Sequence, residues 1–217
     1  MRMAWRCSAS PNLLSKADGF MKRNLVASFT TIFYRATPYA GIIHSPRVVA
    51  AMMEIDRGEY SKYAPYEDSP QGIGYGATIS APHMHGYALE YLSKYLHEGA
   101  NVLDVGSGSG YLTAYIEWGK EGRIIFFFEY GHVVGIDHVP ELVQNSIRDT
   151  KKSHPEWLTQ NRLKFVSGDG RLGYKKDAPY DCIQLFNLVE YSRNVNSRHV
   201  GAASPNEPIE VVLDLYR

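Results

Sequence analysis

The chain has 217 residues and carries 23 Lys and Arg against 23 Asp and Glu, so its formal net charge is zero. That balance argues against nucleic acid as a partner, which calls for a basic face. Two cysteines far apart, Cys7 and Cys182, exclude a disulfide framework and fit a reducing compartment, and the best apolar run, 25–34, is about half of the ~20 residues needed to span a bilayer.

The first 35 residues hold Arg2, Arg6, Lys16, Lys22, Arg23 and Arg35 against a single acid, Asp18. An organelle-targeting segment has that composition; the simpler expectation is a poorly ordered, atypical N-terminal extension over 1–40. A short helix is expected over 46–55, where Val48, Val49, Met52 and Met53 recur at helical spacing. Residues 57–82 are rich in Gly, Pro, Tyr and Ser and read as irregular, a surface or functional loop. The clearest helix spans 84–96, with Met84, Tyr87, Ala88, Tyr91, Leu92, Tyr95 and Leu96 forming one apolar stripe. Gly99 ends it, and 101–105 reads as the first strand of a sheet, followed by a helix over 111–118.

Two strand-like runs then compete, 124–130 and 133–137. Pro140 suits a first helical turn, and 141–152 is a charged helix. A strand over 163–166 runs into Gly168-Asp169-Gly170, and 180–186 is a further strand. Strands alternating with helices predict an α/β fold with a mostly parallel, doubly wound, Rossmann-like sheet and helices on both faces.

The densest information lies in Val102-Leu103-Asp104-Val105-Gly106-Ser107-Gly108-Ser109-Gly110. A strand, a glycine turn and a helix make a nucleotide site at the carboxyl end of a parallel strand. A nicotinamide site has G-x-G-x-x-G. Here Gly106, Gly108 and Gly110 alternate, Asp104 precedes them by two, and Tyr111 stands where a dinucleotide turn prefers a small residue. This pattern looks like that of class I S-adenosylmethionine-dependent methyltransferases. Such a site needs an acid for the ribose hydroxyls. Asp137 and Glu129 are both candidates, and spacing from Gly110 favours Glu129. Asp169 is placed for an adenine amino group, or is an ordinary turn aspartate. His83 and His85 have no further ligand cluster beside them, so no metal is expected.

Five segments taken together closely resemble the protein-L-isoaspartate (D-aspartate) O-methyltransferase family: Asp68-Ser69-Pro70-Gln71, Ala77-Thr78-Ile79-Ser80-Ala81-Pro82-His83-Met84-His85, residues 102–110, Gly135-Ile136-Asp137-His138 and Gly168-Asp169-Gly170-Arg171. The resemblance covers about 41–123, 133–183 and 199–214, and makes 41–217 a methyltransferase domain. It implies S-adenosyl-L-methionine as cofactor, methylation of the free carboxylate of isoaspartyl residues in aged proteins, and a monomeric, cytoplasmic enzyme without nucleic-acid or membrane partners. By resemblance Ser80 is the active-site serine, and Ala77, Thr78 and Ile79 line the cofactor and substrate pocket. His85 and Ser109 match cofactor contacts, Asp137 matches the ribose acid in preference to Glu129, and Asp169 and Gly170 match the adenine-side pair. Asp104, Gly106, Gly108 and Gly110 complete the cofactor set.

The chemistry so implied suits these residues. A carboxylate nucleophile is already ionised near neutral pH, so catalysis is mostly placement, with Ser80 orienting the substrate carboxylate. Ser80 could also cap the following helix. Three segments depart from the family: 8–40, 124–132 and 184–198. The chain ends at Arg217, before the family's further strands, so the expected sheet lacks its C-terminal strands and has an exposed edge. Residues 126–128 could also replace 133–136 in the sheet, which would move Asp137 off the ribose. These breaks leave open a chain that binds the cofactor weakly, or acts only through interactions.

Overall fold

A computed structural model describes residues 42–120 and 132–185. Four short apolar runs pair side by side in one parallel sheet: β3 (Val102–Val105), β4 (Val133–Asp137), β5 (Leu163–Ser167) and β6 (Cys182–Leu185), in the order β5-β4-β3-β6. Both β3 and β4 are almost wholly buried. Near-continuous burial is what a central parallel strand requires, because both its faces are covered.

The chain leaves β3 through α4 (Tyr111–Lys120) to reach β4. It then passes through α5 (Pro140–Ser153) and α6 (Pro155–Thr159) to β5, and returns to the other side of β3 as β6. The winding therefore reverses at β3, and a crevice opens at the carboxyl end of the strand where it does so. The register sets Asp104 beside Gly135 and Val105 beside Ile136. The run 133–137 is thus the neighbour of β3, as the family register requires. Residues 124–130, Glu129 included, lie outside the described residues, as do 1–41 and 186–217.

Before the sheet come α1 (Pro46–Glu54), α2 (Arg57–Tyr60), an antiparallel hairpin of β1 (Gln71–Gly74) and β2 (Ala77–Ile79), and α3 (Pro82–Leu92). The span expected to be irregular, 57–82, therefore holds a helical turn and a hairpin. Asp56 caps α2 by accepting from the Gly58 amide at 2.8 Å. Tyr75 and Gly76, both at positive φ, make the hairpin turn. Helix α3 stops at Leu92, short of the expected 96. Its core face is His85, Ala88, Leu89 and Leu92, while Tyr87 and Tyr91 face solvent, Tyr91 being 53% exposed. The expected stripe was thus rotated. Tyrosines flank an already apolar helix, and their hydroxyl ends favour the wet side.

Alternate residues of the sheet feed two cores. On one face Val102, Val133, Leu163, Phe165 and Cys182 pack with side chains from α1, α3, α4, α5 and α6. On the other, Leu103, Val134, Ile136, Ile183 and Leu185 pack with Tyr174, Ala178 and Tyr180. Among the described residues no helix is long and apolar enough to cross a membrane.

Candidate active site

The glycine turn after β3 is built from backbone that only glycine accommodates easily. Gly106, Gly108 and Gly110 have φ of 79°, 54° and 80°, the left-handed region that side chains avoid. The turn is tied to its neighbour strand. The amides of Gly106 and Ser107 donate to the Ile136 carbonyl at 2.9 and 3.2 Å, and Gly108 N–H donates to Asp137 Oδ2 at 2.9 Å. Ser146 on α5 donates its hydroxyl to the Gly108 carbonyl at 3.0 Å. Ser109 is buried, and its Oγ accepts from the first amide of α4 at 3.4 Å.

Two carboxylates flank this turn, both buried. Asp104 Oδ2 accepts from Thr113 Oγ1 at 2.6 Å, while Oδ1 is buried without a hydrogen-bond partner among the described residues. Burial pushes the Asp104 carboxyl up to about 7, the Thr113 bond opposes this, and the charge of Asp137 adds to the rise. Asp137 uses one oxygen for Gly108 and the other for the Val139 amide at 2.9 Å, which leaves further lone pairs on both. Two acids close enough to repel, one with an orphaned oxygen, make a site that favours a ligand carrying positive charge and hydroxyl donors. The fully buried Asp104 takes up a proton on folding between about pH 4, its ordinary value, and about pH 7. The native state binds more protons there, so stability falls as pH rises across that window. Asp104→Asn should flatten this slope, seen as a smaller loss of Tm between about pH 5 and about pH 7.5. An unchanged slope would assign the effect to other groups.

The remaining expected residues arrive from two sides. Gly170 lies after β5, where an added Cβ would overlap Val105 Cγ1, so the chain there runs directly against the end of β3. Asp169 caps its own 3-10 turn and is gripped by Arg171, with Nη2 at 2.6 Å and the Arg171 amide at 3.0 Å. The Arg171 guanidinium and amide hold its carboxyl down at about 2. Its geometry is that of a turn aspartate whose charge is already partnered.

From the other side, the hairpin lays Ile73 against the turn, its Cδ1 3.4 Å from where a Cβ on Gly108 would stand. Of the residues after it, Ile79 is buried in the core, Thr78 is exposed, and Ala77 and Ser80 are half-buried. Ser80 does not cap α3, whose N-cap residue is Ala81. Asp68 Oδ1 serves that end instead, accepting from the His83 amide at 3.2 Å and lying 2.7 Å from His83 Nδ1. The Ser80 hydroxyl engages none of the described residues, whereas its carbonyl accepts from Arg57 Nη2 at 2.7 Å.

Arg57 was not anticipated. It is buried on the turn α2, with Nη1 3.2 Å from His85 Nδ1 and its guanidinium 5.2 Å from the centre of the Tyr111 ring. His85 packs edge-on against Tyr111 at 5.1 Å, and Tyr111 bonds through its hydroxyl to Tyr115. Burial, then the Arg57 charge, hold the His85 imidazole well below its ordinary value, so it is neutral. No sequence signal marks an arginine for burial; only the Asp56 cap hints at the helical turn that carries it. Among the described residues no group of His, Cys, Asp and Glu could hold a metal ion.

Comparison with known proteins gives a consistent answer. The family model described as protein-L-isoaspartate(D-aspartate) O-methyltransferase matches residues 33–189. A Caenorhabditis elegans protein-L-isoaspartate O-methyltransferase is 41% identical over 206 residues, covering 95% of this chain and 74% of the relative. An Arabidopsis thaliana protein-L-isoaspartate O-methyltransferase 1 is 42% identical over 179 residues, covering 80% and 67%. A Plasmodium falciparum crystal structure described as a protein-L-isoaspartate O-methyltransferase, in complex with S-adenosyl-L-homocysteine, superposes with a TM-score of 0.65 at 32% identity, covering 74% of this chain and 72% of that one.

Proposed function

Since this chain belongs to the protein-L-isoaspartate(D-aspartate) O-methyltransferase family, we propose that it transfers a methyl group from S-adenosyl-L-methionine to the free carboxylate of L-isoaspartyl and D-aspartyl residues in damaged proteins, the first step of their repair. The observation that carries this reading is the left-handed glycine turn flanked by two buried carboxylates, within a family match over residues 33–189.

The residues fit the cofactor. When bound, it supplies a methyl group on a positively charged sulfur. Asp104, with its orphaned Oδ1, complements positive charge, and Asp137 keeps acceptor capacity for ribose hydroxyls. Gly106, Gly108 and Gly110 give close backbone approach, with Ser109 and His85 beside them. Asp169 and Gly170 stand on the adenine side, where Asp169 has to share its carboxylate with Arg171. Ala77, Thr78 and Ile79 line the pocket, Ile79 through its backbone because its side chain is in the core.

Ser80 is the residue for the substrate. Its hydroxyl, bonded to none of the described residues, donates to the substrate carboxylate and orients it. A carboxylate near neutral pH needs no base to remove a proton, and the neutral His85 is not asked for one. The protein's work is then placement, which is worth several orders of magnitude in rate. Ser80→Ala should lower kcat about tenfold to a hundredfold while leaving the Kd for S-adenosylhomocysteine within about twofold of wild type, as calorimetry would report. Equal losses in both quantities would remove Ser80 from this role.

The deciding experiment is methyl transfer to an isoaspartyl peptide against its aspartyl twin, alongside a thermal shift with S-adenosylhomocysteine. Transfer to the isoaspartyl peptide alone supports the reading. A shift without transfer would leave a chain that binds and does not turn over. We also infer a methyltransferase domain over 41–217 after an extension at 1–40, a monomer, a cytoplasmic location, and no nucleic-acid or membrane partner. The zero net charge supports the absence of a nucleic-acid partner, and the family resemblance supports the other assignments.

A further inference from the structure

Two arginines are buried among the described residues, and they differ in what answers their charge. Arg162 lies 2.7 Å from Glu117 Oε1. Arg57, 3% exposed, has no carboxylate among the described residues within ion-pairing distance. Among the described residues its contacts are the Ser80 carbonyl, the imidazole of His85 and the face of Tyr111, all neutral, its Nε is buried without an acceptor, and Asp68 is a carboxylate that acts on it only from beyond pairing distance. A buried charge is costly to keep unless something of opposite sign meets it. Here it lies directly behind the peptide unit that carries Ser80.

The same contact fixes a proton. A guanidinium has donors only, so His85 Nδ1, 3.2 Å from Arg57 Nη1, must be the acceptor. The neutral ring then carries its hydrogen on Nε2.

We propose that Arg57 is a positioning residue for the substrate carboxylate: it fixes the Ser80 peptide and the Nε2–H tautomer of His85, and its charge, paired with no carboxylate among the described residues, favours an anionic group docked beside Ser80. This rests on the function proposed above. The cofactor also ends in a carboxylate, so the two sources of that group are separated by measurement.

Arg57→Met, Arg57→Lys and wild type are compared for KM toward an isoaspartyl peptide and Kd for S-adenosylhomocysteine, and for the imidazole nitrogen shifts of His85 by ¹⁵N NMR. Arg57→Met should raise KM about tenfold or more with a clearly smaller loss in Kd, and should free His85 to exchange tautomers. Arg57→Lys, which keeps the charge but not the fork, should recover part of the loss in KM. Equal losses in KM and Kd would assign the charge to the cofactor or to folding alone and overturn the proposal, as would an unchanged KM. If Arg57→Met does not fold, Arg57→Lys and the wild-type spectrum decide, since a hydrogen on His85 Nδ1 in wild type overturns the proposal on its own. That spectrum needs no turnover. A wild-type chain with the Nε2–H tautomer but no transfer would count against the proposed function and leave the Arg57–His85 arrangement standing.

Discussion

Replacing Asp137 by alanine is expected to weaken binding of S-adenosylhomocysteine by about two to four orders of magnitude. Hydrogen bonds to a charged acceptor contribute about 1.5–3 kcal/mol each, and two ribose hydroxyls lose theirs at once. The effect on the protein itself adds to this. Asp137 holds the Gly108 amide with one oxygen and the Val139 amide with the other, so its loss also releases the glycine turn and the entrance to α5. Asp137→Asn keeps one carbonyl oxygen and should fall between the two. Calorimetry against S-adenosylhomocysteine, with circular dichroism to confirm the fold, measures both variants. An Asp137→Ala protein that binds within about threefold of wild type would remove this residue from the cofactor site.

Gly110→Ala should be the most damaging single methyl in the described structure. The backbone there has φ of 80°, which costs a side-chain-bearing residue about 1–2 kcal/mol. The new Cβ would also stand 2.7 Å from Phe165 Cζ and 2.8 Å from Ser146 Cβ, and such overpacking costs about 1–3 kcal/mol. Together these predict a fall in Tm of roughly 5–15 °C for a domain of this size. Phe165→Leu in the same chain should recover the share of the packing cost that the ring imposes and leave the Ser146 contact and the backbone part, so the double variant should be less than additive. Full additivity in a thermal melt would mean that Phe165 is not what confines Gly110.

Much of this was readable from the chain. The alternation of apolar runs with helices gave the parallel sheet, and Gly106, Gly108 and Gly110 form the turn expected after its strand, each in a conformation that few other residues adopt. Asp104 was singled out by its place two residues before Gly106, and Asp137 by resemblance against a spacing that favoured Glu129. What could not be read depends on contacts between distant segments. Helix α3 is apolar nearly all round, so its stripe could be drawn through Tyr87 and Tyr91 or through His85, Ala88 and Leu89, and only the fold chooses the second. Ser80 sits next to a helix start, yet the cap comes from Asp68, a loop residue whose reach no local pattern specifies. No local pattern marked Arg57 for burial. Asp169 was read either as an adenine contact or as a turn aspartate, and its own turn and its neighbour Arg171 both engage its carboxylate.

The ring of Phe165 confines both Gly135 and Gly110, and this has a bearing on synthesis. The ribosome delivers the three glycines before it makes β4 or β5, so a nascent chain that has reached only residue 120 already contains the whole signature without its shape. Its mould is completed only when the third parallel strand emerges, and until then the growing polypeptide has no formed cradle for a nucleoside.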